Sequence, residues 1–160
     1  MKWIQTSIII CLIVIIGALL NIAFQNQVSI PIKISSGVER LSPEDHIKEE
    51  NIKVYEDKVI INIQNPQWAG FTNTNSMDPI IDEYANSIQI IPVKEEEIHI
   101  GDIVSYESDY AEGRIIHRVV FVEKDEFGTY YYIKGDNNIF RDPGRIRFEQ
   151  IRRVTVGILY

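Results

Sequence analysis

The sequence predicts a mostly β protein, with one N-terminal transmembrane helix followed by a compact antiparallel β-domain. Three observations predict it. After Met1 and Lys2 the chain reads "WIQTSIIICLIVIIGALLNIAF", and no charge appears before Lys33. From Ile52 onward, short runs rich in Val, Ile, Thr and Tyr follow one another, separated by charged or Gly/Asn/Pro-containing breaks. No long helical periodicity appears after the apolar segment.

Residues 1–25 are expected to form the anchor. A span needs about 20 mostly apolar residues to cross the hydrocarbon, and Trp3 to Phe24 suffices, with Trp3 at headgroup level. The run is long for the apolar part of a cleaved signal peptide, and "LLNIAF" is a poor small-x-small cleavage site. Lys2 and the amino terminus favour the N-terminus inside the cell membrane and the remainder on its outer side. Residues 26–51 combine polar residues, Pro and a charge run, and read as a juxtamembrane connector with a short helix opened by Ser42-Pro43-Glu44-Asp45. Residues 52–160 form the β-domain. "IKVYEDKVIINI" is β-rich on both sides of Glu56-Asp57; "SIQIIPV", "DIVSYE", "RIIHRVVFVE", "TYYYIKG" and "IRRVTVGILY" are the further strands. "KDEFG" and "GDNN" look like turns.

Composition narrows the function. The chain has 160 residues and a net charge of −7, and its basic residues form no stripe to collect phosphates. Nucleic acid is therefore not an expected partner. The lone cysteine, Cys11, can make no intrachain disulfide. His46, His99 and His117 are scattered, no Cys/His group has metal-ligand spacing, and no Gly-rich phosphate loop occurs. Neither metal nor cofactor is expected.

The residues able to do chemistry fall in three places. "TNTNSMDPII" (Thr72 to Ile81) sets Ser76 among turn-forming residues with apolar neighbours. A serine hydroxyl is a weak nucleophile and needs a base, itself oriented by a third group. His46 lies in the charged connector and is expected to be solvated; His99, in "EEIHIGD", reads as a surface residue at a strand end. His117 is different. "GRIIHRVVFV" puts an imidazole within an apolar strand, where it is either buried and paired or faces a cleft. In "KGDNNIFRDPG", Asp136 and Asp142 are both available to an imidazolium, or else cap backbone amides in turns.

"NSMDP" (Asn75 to Pro79), "GDIVSY" (Gly101 to Tyr106), "IIHRVV" (Ile115 to Val120) and "KGDNN" (Lys134 to Asn138) occur in this order. With comparable gaps, they resemble the type I signal peptidases of the archaeal and endoplasmic-reticulum branch, from about Phe71 to the C-terminus. The bacterial branch carries a lysine base where this chain has His117. The resemblance implies a β-domain of signal-peptidase type, a membrane-bound serine endopeptidase that removes signal peptides from exported preproteins. It also implies Ser76 as nucleophile, His117 as general base, Asp142 as the acid that orients the base, and Asp136 as a supporting carboxylate. Thr74 would join the Ser76 amide in holding the oxyanion. Preproteins, the lipid bilayer and the protein-export machinery are the partners it suggests. Trp68, Phe71, Ile80 and Ile81 flank the nucleophile and are expected either to dip into the bilayer as an apolar rim or to pack in the core. Two other readings remain open at this point. One is a related serine protease that cleaves itself or a dedicated partner; the other is a non-catalytic membrane-anchored β-domain that binds a partner or helps assembly.

Overall fold

The computed structural model describes Trp3, Leu12, Ile15, Ile16 and residues 41–160. Those first four residues have helical backbone. The rest of the expected anchor and the first half of the connector lie outside the described residues, among which no helix is long and apolar enough to cross a membrane. The chain divides into two units, Met1–Glu39 and Arg40–Tyr160.

The second unit is mostly β. A two-stranded hairpin, β1 (Ile52–Val54) and β2 (Val59–Ile61), turns at Glu56-Asp57. A seven-stranded sheet comes next, built from β3 (Gln67–Gly70), β4 (Asn86–Ile90), β5 (Ile103–Ser108), β6 (Ala111–Asp125), β7 (Gly128–Lys134), β8 (Ile146–Arg147) and β9 (Ile151–Leu159). Its order is β3-β4-β9-β5-β6-β7-β8, and every pairing is antiparallel. The β-branched and aromatic runs of the sequence become β1, β2, β4, β5, β6, β7 and β9. The two short edge strands β3 and β8 carry no such run. No helix opens at Ser42; among its described residues, 41–51, the connector instead has a 3-10 turn at Glu49–Asn51.

Alternation of side chains builds two cores. Val104, Tyr106, Val119, Tyr131, Ile133, Ile146, Ile151 and Val154 form the larger one with Ile98. Met77, Ile81, Ala85 and Ile103 form the smaller one, with Phe71, Ile116 and Ile158 packed against it. The register slips between Ile88 and Gln89, Ser105 and Tyr106, and Val119 and Phe121. Such bulges bend strands and increase twist. The loop leaving edge strand β3 meets the loop leaving β7, where the Asn137 N–H donates to the Ser76 carbonyl at 2.9 Å.

Candidate active site

Ser76 lies in the β3–β4 loop. Asn75 before it has φ 57°, the left-handed region that Asn tolerates better than most residues. The loop closes as a turn, with the Ile80 and Ile81 N–H groups both donating to the Met77 carbonyl at 3.0 Å. Met77 and Ile81 nail it to the smaller core. The Gly-Asp-Asn-Asn turn grips it from the other side. Besides the Asn137 N–H, the Asn137 side-chain amide donates to the Asn75 carbonyl at 2.9 Å. Gly135 comes so close that a Cβ there would stand 2.6 Å from the Ser76 carbonyl oxygen. The "KGDNN" box thus positions the Ser76 loop through close backbone contact.

His117 sits in mid-β6, opposite Val104 of β5. Its ring is almost fully buried, and Nδ1 lies 2.6 Å from Asp142 Oδ2. Asp142 belongs to the β7–β8 loop, where its own N–H donates to the Ile133 carbonyl at 2.8 Å. The bulky residues beside it do not crowd the pair: Phe140 is exposed, and the Arg141 guanidinium stacks 3.8 Å from the Tyr132 ring centroid. A residue the sequence did not single out completes the arrangement. The fully buried Tyr106 hydroxyl donates to the same Asp142 Oδ2 at 2.8 Å. Burial first, and the carboxylate second, push the Tyr106 phenol above its ordinary value, so it stays a donor.

Asp136 is engaged elsewhere. Its two oxygens take a bidentate fork from Arg118, Nε to Oδ1 at 2.7 Å and Nη2 to Oδ2 at 2.6 Å. Arg118 Nη1 also donates to the carbonyls of Gly101 at 2.8 Å and Leu41 at 3.2 Å. Of the two carboxylates in "KGDNNIFRDPG", Asp142 alone touches His117, while Asp136 orders the neighbouring turn.

Ser76 and His117 line one cavity of about 480 Å³, together with Thr74, Phe71, Met77, Ile81 and the Arg114–Ile116 stretch. No hydrogen bond joins the Ser76 hydroxyl to His117. The hydroxyl lies instead 3.1 Å from Thr74 Oγ1, and the Ser76 N–H is 3.5 Å from that same oxygen. Hydrogen bonds between nucleophile and base are often open before a substrate is bound.

The apolar rim divides in two. Trp68 is 69% exposed and Ile80 is at the edge of exposure, whereas Ile81 is 4% exposed. Ile81 packs in one cluster with Met77 and Ala85, and Phe71 leans on it, so these two follow the core-packing alternative. Packing decides the division, since Trp68 and Ile80 belong to neither core.

One histidine expectation is corrected and another is extended. His46 is not solvated: its Nε2 lies 3.0 Å from Oδ1 of the buried Asp102, and that hydrogen bond holds the imidazole above its ordinary value against the opposing effect of burial. His99 keeps a surface position yet shares Asp102, with Nδ1 3.7 Å from Oδ2. The connector is tied to the β-domain at this point, because the Glu44 N–H also donates to Asp102 at 3.0 Å.

No protein-family model, curated protein or solved structure matches the chain.

Proposed function

We propose that the protein is a membrane-bound serine endopeptidase that removes N-terminal signal peptides from exported preproteins. The observation that carries the reading is the 2.6 Å contact of His117 Nδ1 with Asp142, beside Ser76 in one cavity. With Nδ1–H directed at the carboxylate, Nε2 is the nitrogen left to take a proton. His117 removes the Ser76 proton as Oγ attacks the scissile carbonyl. The Ser76 N–H and the Thr74 hydroxyl meet the oxyanion. Asp142 holds the imidazole tautomer and stabilises the imidazolium. The proton then passes to the leaving amine, and water hydrolyses the acyl-enzyme on Ser76.

Strand pairing suggests the mode of substrate binding. In β6, β5 covers one side of Ala111–Arg118, while β7 begins pairing only at Arg118. Residues 111–117 therefore present a second side that no strand among the described residues pairs, and Arg114–His117 line the cavity. An extended peptide can add to such an edge, with alternate side chains entering pockets. Phe71, Met77, Ile81 and Ile116 supply apolar lining suited to the small uncharged residues that precede a signal-peptide cleavage site. On this reading the apolar N-terminal segment anchors the enzyme with its catalytic domain on the outer side. Exposed Trp68 and Ile80 lie toward the lipid, and the export machinery delivers the substrate.

The test is cleavage of a preprotein with a small-x-small site by the full chain in liposomes. Correctly placed cleavage by wild type, lost in folded Ser76→Ala and His117→Ala and strongly reduced in Asp142→Asn, is the expected result. Wild-type protein that leaves the preprotein intact would favour a non-catalytic β-domain.

A further inference from the structure

The structure brings three potential metal ligands together outside Ser76's cavity. We propose that His46, His99 and Asp102 bind a divalent transition-metal cation of the Zn2+ class, which fastens the segment before β1 to the turn before β5. The reading is independent of the proposed peptidase activity.

The donor set comes first. One ligand atom from each of the three residues lies within 4.8 Å of the other two. Two imidazoles and one carboxylate suit zinc and its neighbours, whereas Mg2+ and Ca2+ take oxygen sets. Zinc bonds of about 2.0–2.2 Å place tetrahedral neighbours roughly 3.3–3.5 Å apart. His46 Nε2 stands 3.0 Å from Asp102 Oδ1 and His99 Nδ1 stands 3.7 Å from Oδ2, so each imidazole meets its own oxygen of one carboxylate, and a cation between the rings can take either oxygen or both. The widest separation closes by rotation of His99, whose side chain is 45% exposed and has room to turn. Three protein ligands leave the fourth position to water, and the exposed side of His99 is the entry path.

The support behind the ligands is already built. Asp102 is fully buried, and its oxygens accept the N–H groups of Glu44 at 3.0 Å and His99 at 2.8 Å. Such outer hydrogen bonds orient a ligating carboxylate. The backbones also meet closely: Gly101 has φ 103°, and a Cβ there would stand 2.0 Å from the Ser42 carbonyl oxygen. Arg118 bridges the same two segments through the Leu41 and Gly101 carbonyls. A cation in place of the proton between His46 and Asp102 would close a cross-link between two segments 56 residues apart in sequence.

The experiment is calorimetric titration of the metal-stripped full chain in detergent with Zn2+, and with Mg2+ as control. One equivalent of Zn2+ is expected to bind, with no heat from Mg2+. Affinity should fall at least about tenfold in His46→Gln and in His99→Gln, each checked for folding by near-ultraviolet circular dichroism. His117→Ala should bind as wild type does. Failure to bind one equivalent, undiminished binding in either glutamine variant, or loss of binding in His117→Ala would overturn the proposal.

Discussion

Replacing Tyr106 with Phe isolates a single contact on which the candidate triad depends. The ring is fully buried, so Phe keeps the packing and leaves no cavity; only the hydroxyl goes. That hydroxyl donates to Asp142 Oδ2 at 2.8 Å, the oxygen that also meets His117. A hydrogen bond to a charged group contributes about 1.5–3 kcal/mol. The Asp142 side chain is 12% exposed, so water can replace part of the loss, and the lower end applies. We expect Tyr106→Phe to lower unfolding stability by about 1.5 kcal/mol, read as a fall in the urea midpoint with an unchanged slope. Two effects then compete at His117. Removing a rival donor concentrates Asp142 on the imidazole, but it also frees the carboxylate to rotate. Orientation should win, because the triad needs one oxygen fixed against Nδ1. The rate constant for cleavage should fall about tenfold, equivalent to about 1.4 kcal/mol of barrier. Unchanged stability together with an unchanged cleavage rate would strip Tyr106 of its positioning role.

The same geometry sets other outcomes. Thr74→Val should leave substrate affinity in place and cost about 2.7–4 kcal/mol of barrier, read from single-turnover cleavage; a full wild-type rate would remove Thr74 from the oxyanion site. Gly101→Ala should destabilise by more than the roughly 1–2 kcal/mol of a left-handed residue, because the new Cβ also meets Ser42, and should expose residues 41–46 to limited proteolysis. Asp125 is held down to about 2, chiefly by the Arg147 hydrogen bond. Its contribution is fully present above the ordinary carboxylate value of about 3.9 and is lost as pH falls toward 2. The gap in urea midpoint between wild type and Asp125→Asn should accordingly shrink between about pH 5 and pH 2. Trp68→Ser should reduce cleavage in liposomes more than turnover of a soluble peptide; equal losses would argue against a lipid-facing role.

Local pattern made most of the fold legible. Val, Ile, Thr and Tyr runs mark the long strands because a half-buried pleated surface selects those residues. Edge strands β3 and β8 escaped, since Gln67–Gly70 and Ile146–Arg147 are too short and mixed to carry a period. At the candidate site, a polar turn drew attention to Ser76 and an imidazole within an apolar strand to His117, and the fold brings both to one cavity. The division of labour between Asp136 and Asp142 was not readable from spacing, for both sit in one loop, and only folding hands Asp136 to Arg118. Tyr106 was hidden for a similar reason: in "GDIVSY" a buried tyrosine looks like packing, and its hydroxyl partner lies 36 residues away. The grouping of His46 with His99 and Asp102 is likewise a product of tertiary contact, and no local spacing announces it.

Catalysis by Ser76 requires an acyl group on that residue during turnover, and the group can be sought directly. Wild-type protein in liposomes would be acid-quenched while cleaving a preprotein, digested, and searched by mass spectrometry for the signal-peptide fragment in ester linkage. The expected result is that ester on Ser76, with neither ester nor cleavage in Ser76→Ala. An acyl group on another residue, or cleavage that persists in Ser76→Ala, would rule Ser76 out as the nucleophile.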